Sequence, residues 1–273
     1  MNNPYLTTGL TAVSFSGGRT SGLMLRKIID AHGGTLPDNV RVLFANTGKE
    51  REETLTFVHE IETRWNVPIT WLEYVGKKVA RVVTYETASR KGEPFERLIE
   101  HRKFLPNQAM RFCTSELKIL TIERFLRWLG WSDELHMIGL RADEMKRVAD
   151  TKTNAAKNDR RVLCPLAADG VTKSNVLAFF KTQSFDLQLK HYEGNCDMCF
   201  LKGWHKRLRI AEEHPDLIER GDDRERERSA SFVSKPTPSY GRILESAQKQ
   251  TRLPIIADWE ADDTQSIDCA CTD

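Results

Sequence analysis

Short apolar runs alternate along this chain with longer stretches in which apolar residues recur every three or four positions. Residues 11–15, "TAVSF", read as a buried strand, and between Thr20 and Ala31 the positions Leu23, Leu25, Ile28 and Ile29 suit one face of a helix. The run "RVLFANT" predicts a second strand. In "GKEREETLTFVHEIETRW", Leu55, Val58 and Ile61 fall at helical spacing among charged residues, and "PITWLEYV" then supplies a third strand. Strands alternating with amphipathic helices predict an α/β fold, a parallel sheet with helices on both faces, whose ligands lie beyond the carboxyl ends of the strands. Ser16–Ser21 and Asn46–Gly48 are thereby placed on the ligand side.

The basic stretch from Lys77 to Arg111 reads as helical, and a helix is expected from Ser115 to Leu129, leading into "ELHMIGL", a strand that ends at Arg141. "RRVLCPL" predicts a short strand, "TKSNVLAFFKTQ" a helix opened by Thr172, and "CDMCFLKGWHKRLRIAEEHP" a turn running into a basic helix. Beyond Glu219 the periodicity fades. "ERGDDRERERSASFVSKPTPS" is charged and then Ser/Pro-rich, the composition of an exposed loop. The expected division is a main domain over residues 1–218, followed by a charged loop and C-terminal extension over 219–273 that ends in a Cys-x-Cys tail.

With 273 residues, 40% of them hydrophobic, the chain can build one large core. Its 41 basic and 39 acidic residues leave a formal charge of +2, which supplies no global pull toward nucleic acid or membrane, so anion recognition must come from local clusters. No apolar run approaches the roughly 20 residues of a membrane span, and "MNNPYLTTGL" lacks the features of a signal peptide, so a cytoplasmic protein is expected. Six cysteines in a reducing compartment are better suited to metal ligation, thiol chemistry or burial than to disulfides.

Two glycines between a strand and a helix, as in "SFSGGRTSG", remove Cβ bulk where backbone N–H groups can converge on an anion. The spacing is neither G-x-G-x-x-G nor the Walker pattern. It resembles the PP-loop of the N-type ATP pyrophosphatase and phosphoadenosine phosphosulfate (PAPS) reductase superfamily, carried here by Ser14, Ser16, Gly17, Gly18, Thr20 and Ser21. "FANTGKEREET", "RFCTSELKI", "GLRADEMKR" and "CPLAADGVTKSNVLAFF" are similar to further segments of that superfamily and occur in its order, so the resemblance spans roughly residues 11–205. It implies a Rossmann-like fold of the adenine nucleotide alpha hydrolase kind. The nucleotide, ATP with Mg or PAPS, would be held by those loop residues together with Arg19, Asn46, Thr47, Gly48, Arg111 and Arg147, with Cys113, Lys118 and Arg141 as catalytic candidates. Arginine's planar fork and lysine's point charge suit phosphate and sulfate oxygens, although solvated surface is the alternative for each. Two positions depart from the family pattern. Asn46 stands where aspartate usually precedes Thr-Gly, and Thr20 where many ATP-using members carry aspartate.

"NCDMC" places Cys196 and Cys199 on one C-x-x-C turn, with Cys113 far upstream, and two thiolates on a turn plus a distant third can clamp an iron–sulfur cluster or zinc. The resemblance favours a 4Fe–4S cluster on Cys113, Cys196 and Cys199, with Cys269 or Cys271 of "DCACTD" as a candidate fourth ligand or a mobile thiol. Cys164, before Pro165, reads as a buried small side chain. The E-C-G-L-H tail of PAPS reductases proper is absent. Three functions fit this set. One is ATP pyrophosphatase and adenylating sulfur transfer with the cluster, the sulfur acceptor unknown and nucleic acid among the candidates. The second is thiol-dependent reduction of PAPS or its unphosphorylated analogue APS. The third is a non-catalytic nucleotide- or nucleic-acid-binding accessory protein, because PAPS-reductase-like proteins occur in phage genomes and beside DNA-modification or CRISPR loci.

Overall fold

A computed structural model describes residues 3–197 and 199–249. In chain order its first half forms β1 (Thr11–Ser14), α1 (Arg19–Ala31), β2 (Val40–Asn46), α2 (Glu52–Arg64), β3 (Ile69–Tyr74), β4 (Ala80–Val83) and α3 (Glu93–Arg102). A π-helix (Cys113–Ile119) then continues into α4 (Leu120–Trp128), followed by β5 (Leu135–Ile138), α5 (Met145–Lys157), β6 (Arg161–Leu163), α6 (Pro165–Ala168) and α7 (Lys173–Lys181). Three helices close the described chain: α8 (Trp204–Glu213), α9 (Pro215–Arg228) and α10 (Tyr240–Lys249).

Alternation along the central strands explains why the sheet is covered on both faces. Val13, Val42, Phe44 and Trp71 pack into one apolar layer with α1, α2 and α7, whereas Ala12, Leu43 and Leu72 face the other way onto Ile122, Phe125 and Leu126 of α4. The six strands lie in the order β4-β3-β2-β1-β5-β6, parallel except for the β3/β4 pair. This is the expected Rossmann-like α/β fold. The chain moves outward from β1 to β3 on one side and returns to β5 on the other, so the carboxyl end of β1 stands at a topological switch point, where such sheets bind ligands. Thr172 opens α7 with a capping box completed by Asn175.

Three expectations are corrected. The stretch from Lys77 to Arg111 is not one helix: Ala80–Val83 pairs antiparallel with β3 as an edge strand, Arg81 reaching the Glu73 carboxylate, and only Glu93–Arg102 is helical. The basic residues hid a β-branched "VARVV" run. The helix expected from Ser115 starts at Cys113 as a widened π turn, in which the Thr121 hydroxyl donates to the Glu116 carbonyl at 2.8 Å, and becomes α-helical only at Leu120. Third, the chain beyond Glu219 is not an exposed loop. α9 runs unbroken through Arg228, laced by Arg224–Glu227 and Arg226–Asp222 pairs, and α10 packs on it. Leu217, Ile218, Phe232, Val233, Tyr240 and Ile243 form their own apolar cluster with Phe200, Leu201 and Ile210, each full burial contributing about 1.5–3 kcal/mol. The buried Glu225 organises the connection by accepting the backbone N–H groups of Phe232 (2.9 Å) and Tyr240 (3.0 Å). No helix among the described residues is long and apolar enough to cross a membrane.

Candidate functional site

Beyond β1 the chain turns through Gly17, whose φ of +79° is a left-handed conformation that favours glycine. The turn is held from within. Ser21 Oγ accepts the Ser16 N–H at 3.1 Å, lies 2.9 Å from Ser16 Oγ and donates to the Gly18 carbonyl at 3.0 Å. α1 then starts at Arg19 with no side-chain cap and no acidic residue in its first turn. Its leading N–H groups therefore present an unneutralised positive helix end on the ligand side of the sheet. Gly139, at the end of β5, lets that strand approach closely: a Cβ there would lie 2.9 Å from Ser21 Cα.

Arg141 closes this seat. Only 5% exposed, it donates from Nη1 to Thr20 Oγ1 at 3.1 Å and from Nε to Asp143 at 2.9 Å, while Glu144 accepts its backbone N–H. A buried guanidinium is thus fixed beside the first turn of α1. Thr20, which departs from the family's aspartate, serves as its acceptor. Ser14 lies below the seat as the last residue of β1. The Arg19 side chain forms a bidentate pair with Asp186 (2.7 and 3.0 Å), and its backbone N–H opens the first turn of α1. Arg147 pairs with Glu144 within α5, and Arg111 sits before the π-helix with a buried Nε that has no partner.

Asn46 takes a different role from the one expected. Wholly buried, it donates to Glu73 Oε1 (2.8 Å) and to the Ser89 carbonyl (2.9 Å), and its own carbonyl accepts the Gly48 N–H (3.0 Å). Its hydrogen bonds shape the loop. An aspartate there would set two buried carboxylates against each other, which explains the amide physically. Thr47 anchors Glu50 through its N–H (2.7 Å) and hydroxyl, and Glu50 in turn pairs with Lys118 Nζ at 3.5 Å.

That chain of contacts leads into a second site. Cys113, Cys196 and Cys199 line one pocket with Lys118, between the ligand edge of the sheet and α9/α10. The C-x-x-C segment is sewn to the α/β half: Arg51 N donates to the Asn195 carbonyl (2.7 Å), Asp197 N to the Lys49 carbonyl (2.6 Å), and Asn195 Nδ2 to the Ser16 carbonyl (2.9 Å). Seat and thiol pocket therefore share a wall. Burial pushes the Cys113 thiol up to about 11, the neighbouring Cys199 adding to this and Lys118 opposing it. Among the described residues no three His, Cys, Asp or Glu side chains converge closely enough to hold a single metal ion. Cys164 is buried as expected, and Cys269 and Cys271 lie outside the described residues.

Sequence reasoning missed Glu50, Glu73 and Asn195, all of them buried. Asn195 directly precedes the C-x-x-C pair, and Glu50 follows Thr47 by three residues, a spacing that suits an N–H-accepting turn. Nothing local marked Glu73, whose partner lies on the adjacent strand.

A glycine-rich turn at the switch point, an uncapped helix start and a buried arginine over it stand together at the carboxyl edge of a Rossmann-like α/β sheet. The chain belongs to the family of the phosphoadenosine phosphosulfate reductase domain, whose model matches residues 11–189. It is also similar to the uncharacterized nin region protein ORF290 of Escherichia phage lambda, at 30% identity over 207 residues, covering 72% of this chain and 68% of that protein.

Proposed function

We propose that this protein is an adenine-nucleotide-dependent sulfur-transfer enzyme in which the Ser16–Ser21 turn holds the phosphates and the neighbouring cysteine pocket holds the sulfur. The observation that carries the reading is the uncapped start of α1 beneath the buried Arg141. With ATP, an acceptor oxygen attacks the α-phosphorus, the bond to the bridging oxygen breaks, and pyrophosphate leaves. The first-turn N–H groups and Arg141 take up the charge that builds on the leaving group. A sulfur nucleophile then displaces AMP from the adenylated acceptor. Lys118, fixed by Glu50 at the edge of the pocket, is the cation on the side from which that sulfur approaches.

Cys113, Cys196 and Cys199 line one pocket, and three thiols are the donor set that would hold a cluster. A 4Fe–4S cluster held by these three cysteines would supply sulfide for transfer. Among this chain's residues, Asn195 ties the cysteine turn to Ser16, so nucleotide and sulfur sites keep a fixed separation.

Reduction of PAPS is the second reading. It is favoured by Asp143 and Glu144, which are engaged by Arg141 and Arg147 and so are not open to Mg. In that reaction a thiolate attacks the sulfonate sulfur, the S–O bond to the nucleotide breaks, and a second thiol releases sulfite as a disulfide forms. The high Cys113 proton affinity weighs against it. Incubation with ATP, Mg²⁺ and sulfide, and separately with PAPS and a thiol reductant, tests the choice. Pyrophosphate is the expected product, sulfite selects the second reading, and neither product with either nucleotide points to the accessory-protein alternative.

A further inference from the structure

Arg207 of α8 is fully buried, and among the described residues it forms no ion pair. Its Nε donates to the Lys202 carbonyl at 3.2 Å and its Nη1 to the Pro238 carbonyl at 3.5 Å, while Nη2 is buried with no partner. Among the described residues no carboxylate lies within ion-pair distance. The buried Glu225 carboxylate is instead taken up by the N–H groups of Phe232 and Tyr240 and by the Ser231 hydroxyl. An uncompensated buried charge costs several kcal/mol, and natural folds retain one mainly where an anion completes it. The guanidinium lies 5.7 Å from the Tyr240 ring, and Tyr240 lines the thiol pocket together with Cys199. The electrostatic partners of Arg207 are Tyr240, Glu225 and Cys199.

We propose that Arg207 is a positioning residue for the sulfur centre of this pocket, placed behind Cys199 and Tyr240 to balance the negative charge of the cysteine-held group. The inference rests on the cluster reading above. Three thiolates and the sulfides of a cluster would concentrate negative charge in this cavity, and the cations that line it are committed: Lys49 and Arg220 to Asp197, Lys118 to Glu50, and Arg224 to Glu96. Arg207, one layer behind the lining, forms no ion pair with a carboxylate among the described residues. A fixed buried cation beside a cluster favours its reduced, more negative state and holds the potential up.

The test compares wild type, Arg207→Gln and Arg207→Lys, each full-length and reconstituted without oxygen from ferrous iron and sulfide. Glutamine can still donate to the Lys202 carbonyl but removes the charge, whereas lysine keeps it. Should Arg207→Gln fail to fold, Arg207→Met replaces it in the same comparison. Iron content, iron release to a chelator and midpoint potential are measured, with the melting temperature of each metal-free protein. The expected result is that Arg207→Gln releases iron on the order of 10-fold faster than wild type and shows a more negative potential, with Arg207→Lys restoring both toward wild type. An iron-loaded Arg207→Gln protein with unchanged release and potential, altered only in melting temperature, would overturn the inference alone and make Arg207 a packing residue. A wild type that takes up no iron would overturn the cluster reading and the inference together.

Discussion

The proposed phosphate seat and the cysteine pocket share a wall but are built in opposite ways. The seat is made of one contiguous turn, small residues and backbone N–H groups at the end of a central strand, with a single buried arginine laid across it. The pocket is assembled from a π-helix, a C-x-x-C turn and two late helices, and is rimmed by committed ion pairs. A site made from backbone needs exact local geometry and tolerates few side-chain changes. A site made from converging segments depends on charge balance and on distant packing. The two should therefore fail differently when perturbed.

Gly17→Val has the largest expected effect, and it acts through the fold. A Cβ at Gly17 would lie 2.7 Å from Thr54 Cγ2 and 3.1 Å from the Phe44 ring, so the added atoms press into the core beneath the loop and not into the nucleotide space. Left-handed strain and overpacking together cost about 2–5 kcal/mol, visible as a large drop in melting temperature. A variant that melts like wild type would mean the turn is not built as described.

The pocket responds to alkaline pH through Cys113. The folded state holds the Cys113 proton up to about 11, against an ordinary thiol value of 9.0, so it binds more protons than the unfolded chain between those limits. Stability of the metal-free protein is therefore full below pH 9 and falls as pH rises toward 11, by about 2–3 kcal/mol at most. Denaturant titrations at several pH values, with Cys113→Ala flattening the trend, check this. An unchanged slope in that variant assigns the loss to other groups.

A smaller effect, about 1–3 kcal/mol, is expected for Asn46→Asp, which restores the family's usual residue but places a carboxylate against the buried Glu73. The loss should shrink as pH falls and one of the two carboxyls takes up a proton. Equal or greater stability at neutral pH would show that the amide is not required by Glu73.

The contrast between the two sites also explains what was legible in the sequence. The parallel sheet and the seat were readable because each depends on local pattern: short apolar runs in "TAVSF" and "RVLFANT", helical spacing after them, and glycines at a strand end. Cys113, Cys196 and Cys199 were legible as a set through their residue type, and the pocket brings them together. The helices beyond Glu219 were not, because charged residues dominate α9 and its apolar positions, Leu217 and Ile218, fall at the start, with Phe232 and Tyr240 beyond its end. The role of the Arg19 side chain was not legible, because its partner, Asp186, is 167 residues away in sequence. Asn46 could be assigned only once Glu73 was known to stand beside it on the neighbouring strand.

Calorimetric titration of the purified protein with ATP and with PAPS, on wild type and Arg141→Met, tests the nucleotide seat most directly. One nucleotide is predicted to bind per chain, with affinity falling about 10–100-fold in Arg141→Met as a charge-assisted contact worth about 1.5–3 kcal/mol is removed. Binding of neither nucleotide to the folded wild type, or equal affinity in the variant, would contradict the assignment of the Ser16–Ser21 turn and Arg141 to the phosphates.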